Sequence, residues 1–175
     1  ISLAPEGGAH QSIGTPLIGM SKPGLASFEP AFTDELSTIM SFAFSYLQSE
    51  MSEGDDIAID GDLLDDRRGG SVYLRLTTRR IEQFDRELDD TLTSEIIDGG
   101  YWLVPPESPC SVVIAYIGAV APQVIESCEE LNRESPGSAA VLAITSADRL
   151  HRGWMEAQRK RHQGLNKYSA QVEKL

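Results

Sequence analysis

Apolar residues follow two different patterns along the chain of 175 residues. After Glu29-Pro30 and again from Val120 to Leu131 they recur every three or four positions, which predicts amphipathic helices with one buried stripe each. In contrast, Val112–Ile117 and Ala139–Thr145 are unbroken apolar runs of strand length. Continuous apolar strands that alternate with helices predict a mainly parallel sheet covered on both faces. The predicted fold class is therefore α/β.

Shorter patterns complete the predicted elements. Leu25–Phe28 and the alternating run Val72–Leu76 are typical of strands, and Pro30 is expected in the first turn of the helix that follows the first of them. A further helix is predicted to contain Leu150, Trp154 and Met155, and Ser146 or Asp148 can cap it. The stripe of the first helix is predicted to bury Phe32, Leu36, Ile39, Met40, Ala43 and Leu47.

Residues 85–110 are polar, acidic and rich in proline, which predicts an interdomain linker. Within it, local strand is expected at Ile96, Tyr101, Leu103 and Val104. Near the end of the chain, Tyr168–Leu175 is predicted to begin a helix that has no room to continue. Because Ile1 opens a strand-like run without an initiator methionine, we expect both termini to be cut points inside larger domains.

The formal net charge of −12 at pH 7 argues against nucleic acid as a partner, since phosphate backbones are bound by clustered lysine and arginine. Apolar runs of the roughly 18 to 20 residues that cross a bilayer are absent from the sequence, as is a signal-peptide pattern. We therefore expect no membrane association and a cytoplasmic location. The two cysteines, Cys110 and Cys128, are expected to be reduced residues of the core or its boundary.

An acidic stretch runs from Glu50 to Asp66. Its segment Asp60-Gly61-Asp62 begins like a calcium-binding loop, but Leu64 and Asp65 stand where an oxygen ligand and a glycine belong. The stretch is therefore predicted to be a surface insertion.

The loop Pro5–Ser12 holds the residues best suited to chemistry. Adjacent Gly7 and Gly8 let a ligand approach the main chain closely. Glu6 and His10 supply a charge and a proton carrier, and a histidine titrates near neutral pH. A structural role is the alternative for His10, since perturbed titrating groups mark functional sites only probabilistically.

Two stretches resemble a known family. Ala4–Ser12 (Ala-Pro-Glu-Gly-Gly-Ala-His-Gln-Ser) resembles the loop that transketolases write as Gly-Glu-Asp-Gly-Pro-Thr-His-Gln-Pro, in the pyrimidine-binding domain of thiamine-diphosphate enzymes. Val141–Ser146, followed by Leu150, is similar to a Val-x-Ser-Val-Thr-Ser stretch in the C-terminal domain of the homodimeric decarboxylase component of pyruvate dehydrogenase. The order of the predicted elements also agrees, and the resemblance covers most of residues 1–160.

The resemblance implies parts of two mainly parallel-sheet α/β domains of the transketolase-like thiamine-diphosphate fold. Residues 1–84 would be the C-terminal half of a pyrimidine-binding domain, and residues 85–110 the linker. Residues 111–175 would be the N-terminal part of a transketolase-like C-terminal domain.

The implied activity is that of a 2-oxo acid dehydrogenase of the pyruvate dehydrogenase type, which decarboxylates a 2-oxo acid and passes on the acyl group. His10 matches the family histidine that faces the substrate-derived atoms, and Glu6 matches an acidic residue near it. Both are predicted to be catalytic, because the reaction needs proton transfers that a histidine beside a carboxylate can carry out. The loop has Glu for Asp and Gly-Ala for Pro-Thr, which favours a 2-oxo acid over a sugar phosphate.

The resemblance also implies thiamine diphosphate and magnesium in the full-length protein. The family holds them through a Gly-Asp-Gly motif, a later asparagine and an activating glutamate, all upstream of the matching segment. Gly61-Asp62-Leu63 lacks the second glycine, so the chain alone is expected to be inactive and to bind no cofactor. Expected partners are the remainder of its own polypeptide, a second copy in a homodimer, a small 2-oxo acid substrate and an acyltransferase component.

Two other functions stay open. The same fold serves transketolase, which transfers a ketol unit between sugar phosphates. The chain could also belong to a non-catalytic α/β regulatory or interaction module, whose upstream sequence would lack the Gly-Asp-Gly and glutamate positions.

Overall fold

The computed structural model describes residues 14, 17, 22, 24–48, 70–165 and 167–175. The helices and strands are β1 (Leu25–Phe28), α1 (Thr33–Gln48), β2 (Ser71–Leu74), α2 (Asp90–Asp98), β3 (Gly100–Val104), β4 (Val112–Ile117), α3 (Ala121–Glu134), β5 (Ala139–Ile144) and α4 (Ala147–His162). Single turns of 3-10 helix follow β4 at Gly118–Val120 and close the chain at Gln171–Glu173.

The strands form two small sheets. In the first, β1 and β2 run parallel, with Leu25 paired to Ser71 and Phe28 paired to Leu74. In the second, the strand order is β3-β5-β4, in which β4 is parallel to β5 and β3 is antiparallel to it. The α/β class is confirmed. The sheets are parallel only in part, because β3 runs against β5.

The two apolar runs predicted as buried strands differ in their burial. β5 lies between β3 and β4, and Ala139, Ala140 and Val141 at its start are buried. β4 lies at an edge of the described sheet, where Val112 and Val113 are 43% and 50% exposed. The prediction of a strand covered on both faces is therefore wrong for the first half of β4.

The N-terminus of α1 is closed by its own glutamate. The helix begins at Thr33, so Pro30 precedes it instead of lying in its first turn. The Glu35 carboxylate reaches back and accepts hydrogen bonds from the backbone N–H groups of Ala31, at 2.6 Å, and Phe32, at 3.0 Å. This is the glutamate half of a capping box, in which a side chain in the first turn satisfies N–H groups that have no partner within the helix.

The buried stripe of α1 is rotated from the predicted one. Phe32, Ile39 and Ala43 are buried as predicted, but Leu47 is exposed. Glu35 and Tyr46 take up the other buried positions. Their spacing of three and four residues fits a helix equally well, and a search for apolar residues alone passes over the glutamate.

The end of β5 connects the second sheet to α2. The backbone N–H groups of Thr145 and Ser146 donate to the carbonyl oxygen of Gly99, at 3.0 and 3.1 Å. The Thr145 hydroxyl donates to the carbonyl oxygen of Ile96 at 2.6 Å. Hydrogen bonds from Thr145 and Ser146 therefore fix the position of the turn between α2 and β3.

The same two residues also hold the first sheet. The carbonyl oxygen of Thr145 accepts a hydrogen bond of 2.8 Å from the N–H group of Glu29, just after β1. The Ser146 hydroxyl donates to the carbonyl oxygen of Ser27 within β1 at 2.5 Å, and its oxygen accepts from the N–H group of Arg149 as the N-cap of α4. Of the two predicted caps, Ser146 is thus the one that caps the helix.

Residues 85–110, predicted to be a linker, contain α2 and β3. Tyr101, Leu103 and Val104 lie in β3 as predicted, but Ile96 is a buried residue of α2, so its assignment to a strand is wrong. The Asp89 side chain caps α2 by accepting from the N–H group of Leu92 at 2.7 Å. The division of the chain into two domains stays a prediction.

The C-terminal segment folds back on the second sheet. Instead of the predicted helix over Tyr168–Leu175, it makes the single turn Gln171–Glu173. The side-chain amide of Gln171 donates to the carbonyl oxygen of Gly100 at 3.0 Å. Arg161 of α4 forms an ion pair with Glu173.

Two further observations concern the predictions made from composition. Among the described residues, none of the helices is long and apolar enough to span a membrane. Both cysteines are free, with Cys128 buried and Cys110 partly buried, as expected for residues of the core and its boundary.

Gly99 is the glycine whose replacement should harm the fold. It ends α2 with φ at 109°, and a Cβ atom there would lie 2.4 Å from the carbonyl oxygen of Ser146. We expect Gly99→Ala to lower the free energy of unfolding by about 2 kcal/mol or more, because strain and the backbone clash add up. Urea unfolding of the purified chain measures this.

The matched control is Gly153→Ala in the middle of α4, where a Cβ atom would meet nothing within 4 Å. That change should stabilise the chain by about 0.5 to 1 kcal/mol, because alanine is the better helix former. Equal effects of the two substitutions would contradict the account of Gly99.

Candidate functional site

The residues predicted to be catalytic lie in the N-terminal loop. Glu6 and His10 belong to residues 1–13, which are outside the described residues, as is Gly61-Asp62-Leu63. Their roles stay predictions. Among the described residues, buried acids and their ion pairs lie where the β1–β2 sheet and α1 meet the β3–β5–β4 sheet and α4.

A buried ion pair anchors α4 beneath β1. Asp148 accepts a hydrogen bond of 2.8 Å from Nε of Arg152, one helical turn later, and its second oxygen accepts from the N–H group of Ser27 at 3.2 Å. Arg152 also donates to the carbonyl oxygens of Lys22 and Leu25, at 2.6 and 2.8 Å. Burial raises the pKa of Asp148, and the charge of Arg152 and the Ser27 hydrogen bond act in the opposite direction.

A second buried carboxylate lies at the N-terminus of α1. Glu35 is 1% exposed and accepts a hydrogen bond of 2.6 Å from the hydroxyl of Tyr101 in β3. The guanidinium of Arg86 donates to the same hydroxyl at 2.9 Å, and its Nε pairs with Asp34 at 2.5 Å. Burial raises the pKa of Glu35, and the hydrogen bonds from Tyr101 and from the backbone lower it. We call Asp34, Glu35, Arg86, Tyr101 and Tyr116 the Glu35 cluster.

The burial of these two acids does not follow from the sequence patterns, although each acid stands in a recognisable local spacing. Asp148 and Arg152 are four positions apart on a helix, the spacing of ion pairs. Glu35 stands in the third position of its helix, where a capping box places a glutamate. In each case the spacing was present, but it does not distinguish a buried acid from a solvated one.

A small cleft lies where strands of both sheets end. It encloses about 150 Å³ and is lined by residues that follow β1, β2 and β4, among them Glu29, Arg75 and Gly118. Nη1 of Arg75 donates to both carboxylate oxygens of Glu29, at 3.2 and 3.1 Å. Arg75 is therefore engaged in an ion pair at the carboxyl ends of the strands, where α/β proteins commonly bind ligands.

A larger groove lies between the segment 84–86, β3 and α3. It encloses about 640 Å³. Its lining is partly apolar, with Phe84, Leu103, Val104 and Ile125, and partly charged, with side chains such as Arg86 and Arg133.

A magnesium diphosphate group is implied by the resemblance to thiamine-diphosphate enzymes. Such a group needs several oxygen ligands on one metal ion. Within the described ranges there is no group of three or more histidine, cysteine, aspartate or glutamate side chains placed to hold a metal ion. We assign no cofactor contact to the described residues.

The fold is similar to part of transketolase. Crystal structures of the Pichia stipitis enzyme match 94% of the chain with 16% sequence identity. The TM-score is 0.57 for a variant in complex with fructose-6-phosphate and 0.58 for a second variant. Its complex with sedoheptulose-7-phosphate matches equally, with a TM-score of 0.57. The chain spans 18% of the length of these structures. No family model and no curated protein matches the chain.

At this level of identity the comparison defines a fold. The chain has an α/β fold that resembles part of transketolase, and the resemblance drawn from the sequence is confirmed to that extent. The fold alone does not distinguish a relation to pyruvate dehydrogenase from a relation to transketolase, because one fold can serve many functions.

The buried pair on α4 should matter far more than an exposed pair on the same helix. We expect Asp148→Asn to lower the free energy of unfolding by about 3 kcal/mol, since it leaves Arg152 buried without its counter-charge. Chemical denaturation followed by circular dichroism measures this.

The control is Glu156→Gln, which breaks the pair between Glu156 and Lys160, also four residues apart but more exposed to solvent. Its effect should stay below about 1 kcal/mol. A small effect of Asp148→Asn would show that the contact between α4 and β1 does not depend on this ion pair.

Proposed function

We propose that the chain is part of a thiamine-diphosphate-dependent 2-oxo acid dehydrogenase of the pyruvate dehydrogenase type, which decarboxylates a 2-oxo acid and passes on the acyl group. The fold, which resembles part of transketolase over 94% of the chain, supports the thiamine-diphosphate-dependent class, and the departures of the N-terminal loop at Glu6 and at Gly8-Ala9 favour a 2-oxo acid as the substrate. The loop with Glu6 and His10 precedes that fold's first described strand in the sequence and supports the same class of enzyme.

The role proposed for the chain's own residues is proton transfer. Thiamine diphosphate, when bound, supplies the electron sink for loss of the carboxylate. His10 would hold or move a proton at the substrate oxygen, since its side chain titrates near neutral pH. Glu6 would favour the protonated imidazole by placing a negative charge beside it.

The remaining parts of this enzyme would come from outside the chain. We propose that the rest of the polypeptide supplies the magnesium and diphosphate ligands and the activating glutamate. A second copy of the protein would complete the active site in a homodimer, and an acyltransferase component would receive the acyl group.

Transketolase is the second candidate. It is favoured by the solved structures that share the fold, which are transketolases crystallised with sugar phosphates. The departures of the loop at Glu6 and at Gly8-Ala9 favour the 2-oxo acid instead. A non-catalytic module of the same fold is the third.

The chain alone should not bind the cofactor. We expect calorimetric titration with thiamine diphosphate and magnesium to give no binding in the micromolar range, because the ligands are proposed to lie elsewhere in the polypeptide. Micromolar binding to the isolated chain would contradict the proposed division of the site.

In the full-length protein, His10→Ala should lower kcat by about 10² to 10⁴, the usual contribution of a general acid or base. Carbon dioxide release from pyruvate and ketol transfer between sugar phosphates are measured side by side. The control is His151→Ala, which changes an exposed histidine of α4 and should leave turnover unchanged.

The outcomes separate the three candidates. Carbon dioxide release supports the dehydrogenase, ketol transfer supports transketolase, and neither activity in the folded full-length protein supports the non-catalytic module. Size measurements accompany the assay, and loss of the dimer in His10→Ala would indicate a structural role for this histidine.

A further inference from the structure

The second sheet places two tyrosines side by side in the interior. Tyr101 of β3 and Tyr116 of β4 are both paired to Ala143 of the central strand β5, so the three residues form one row across the sheet. Residues in one row point to the same face of a sheet. Because alanine ends at a methyl group, it leaves room above it for the two buried phenol rings.

Glu35 meets this row from α1. Its Oε1 atom accepts from the Tyr101 hydroxyl at 2.6 Å, while Oε2 takes the two backbone N–H groups that precede the helix. Tyr116 is close enough to the cluster that its pKa is raised by burial and by the charge of Glu35. One carboxyl group thus joins the helix N-terminus to the sheet.

The charges of the Glu35 cluster do not cancel. Arg86 holds Asp34 through Nε and Nη2, at 2.5 and 3.2 Å, whereas its Nη2 is 3.8 Å from Oε1 of Glu35. Two carboxylates therefore share one guanidinium that is engaged mainly by Asp34. With both acids ionised, the cluster carries one net negative charge, and its Glu35 carboxylate is shielded from water, which is costly.

The hydrogen bonds of Glu35 oppose the effect of burial in part, because the Tyr101 hydroxyl and two backbone N–H groups donate to the carboxylate and lower its pKa. A neutral Glu35 would keep a hydrogen bond to Tyr101 in the reverse direction. The Tyr116 hydroxyl is buried and makes no hydrogen bond of normal geometry with the described residues. While Glu35 is ionised, the single proton of Tyr101 is used on the carboxylate. A protonated Glu35 would donate to the Tyr101 oxygen instead, which frees the Tyr101 proton to turn towards Tyr116.

We propose that Glu35 binds a proton at the contact between α1 and the β3–β5–β4 sheet, beside the phenol groups of Tyr101 and Tyr116, and that this additional proton strengthens the contact. The structure thereby contains a pH-sensitive attachment, which is independent of the proposed enzymatic function. The ionisable groups that face Glu35 are Asp34 on its own helix, Arg86 from the segment before α2, Tyr101 from β3 and Tyr116 from β4.

The direction of the pH dependence follows from the proton. Burial raises the pKa of Glu35 above its ordinary value of 4.5. The folded chain then binds the proton more tightly than the unfolded chain does. The stabilisation is complete below pH 4.5 and is lost as the pH rises through the raised pKa of Glu35.

The test compares the purified chain with Glu35→Gln over a series of pH values. Between pH 4.5 and the raised pKa, the folding constant of the unchanged chain, relative to that of Glu35→Gln, should fall about tenfold per pH unit, the effect of one proton. The ratio cancels the titration of groups that both proteins share. A ratio that does not change with pH would overturn the proposal.

A second variant covers the case in which Glu35→Gln does not fold. Tyr116→Phe keeps the ring and removes the hydroxyl, so it should lower the pKa of Glu35. Carbon-13 NMR of the labelled Glu35 carboxyl group measures this pKa. The control is Tyr46→Phe, which changes a buried tyrosine of α1 outside the cluster and should leave that pKa unchanged. The proposal is wrong if Glu35 titrates at or below 4.5 in the unchanged chain, or if Tyr116→Phe does not move its pKa.

Discussion

The described structure depends on the hydrogen bonds at the end of β5, where Thr145 and Ser146 meet elements from both sheets. Their backbone and hydroxyl groups are bonded to the turn between α2 and β3 and to the end of β1. A buried polar group that loses its partner costs roughly 1 to 3 kcal/mol. The relative positions of these elements are therefore constrained together, because moving one of them leaves several buried groups without partners.

This constraint gives a physical meaning to the sequence stretch Val141–Ser146. The apolar part of the stretch fills the central strand, and its last two residues supply the hydroxyl groups that bind neighbouring elements. The resemblance to the decarboxylase family was drawn from this same stretch. In this structure the stretch connects several elements through hydrogen bonds. The stretch is therefore informative about the fold and carries no information about a substrate.

Much of the fold could be predicted, because periodicity reports which residues of an element face the core. The strands β1, β2, β4 and β5 and the helices α1, α3 and α4 all follow from the pattern of apolar residues. Helix α2 does not follow from that pattern, because its polar composition is typical of a linker, although Asp89 and Gly99 mark its two ends. The exposure of Val112 could not be predicted, because a strand's sequence does not reveal its position in the sheet.

The candidate site was predictable to a smaller extent. Glu6 and His10 were identified through a resemblance, and their surroundings lie outside the described residues. The pairing of Arg75 with Glu29 depends on how β1 and β2 align, which the sequence patterns do not specify. A fold shared at 16% identity supports many activities, because function depends on side chains placed on the fold.

The two buried acids stabilise two contacts by different physical means, Asp148 the contact of α4 with β1 and Glu35 the contact of α1 with β3. Asp148 has a dedicated cation, Arg152, at 2.8 Å. Glu35 faces Arg86 at 3.8 Å, and that guanidinium is already engaged by Asp34. Burial raises the pKa of both acids, but an ionised Asp148 is compensated by its own partner, whereas Glu35 is best compensated by a proton. The two contacts therefore combine one attachment through an ion pair with one whose strength depends on the solution pH.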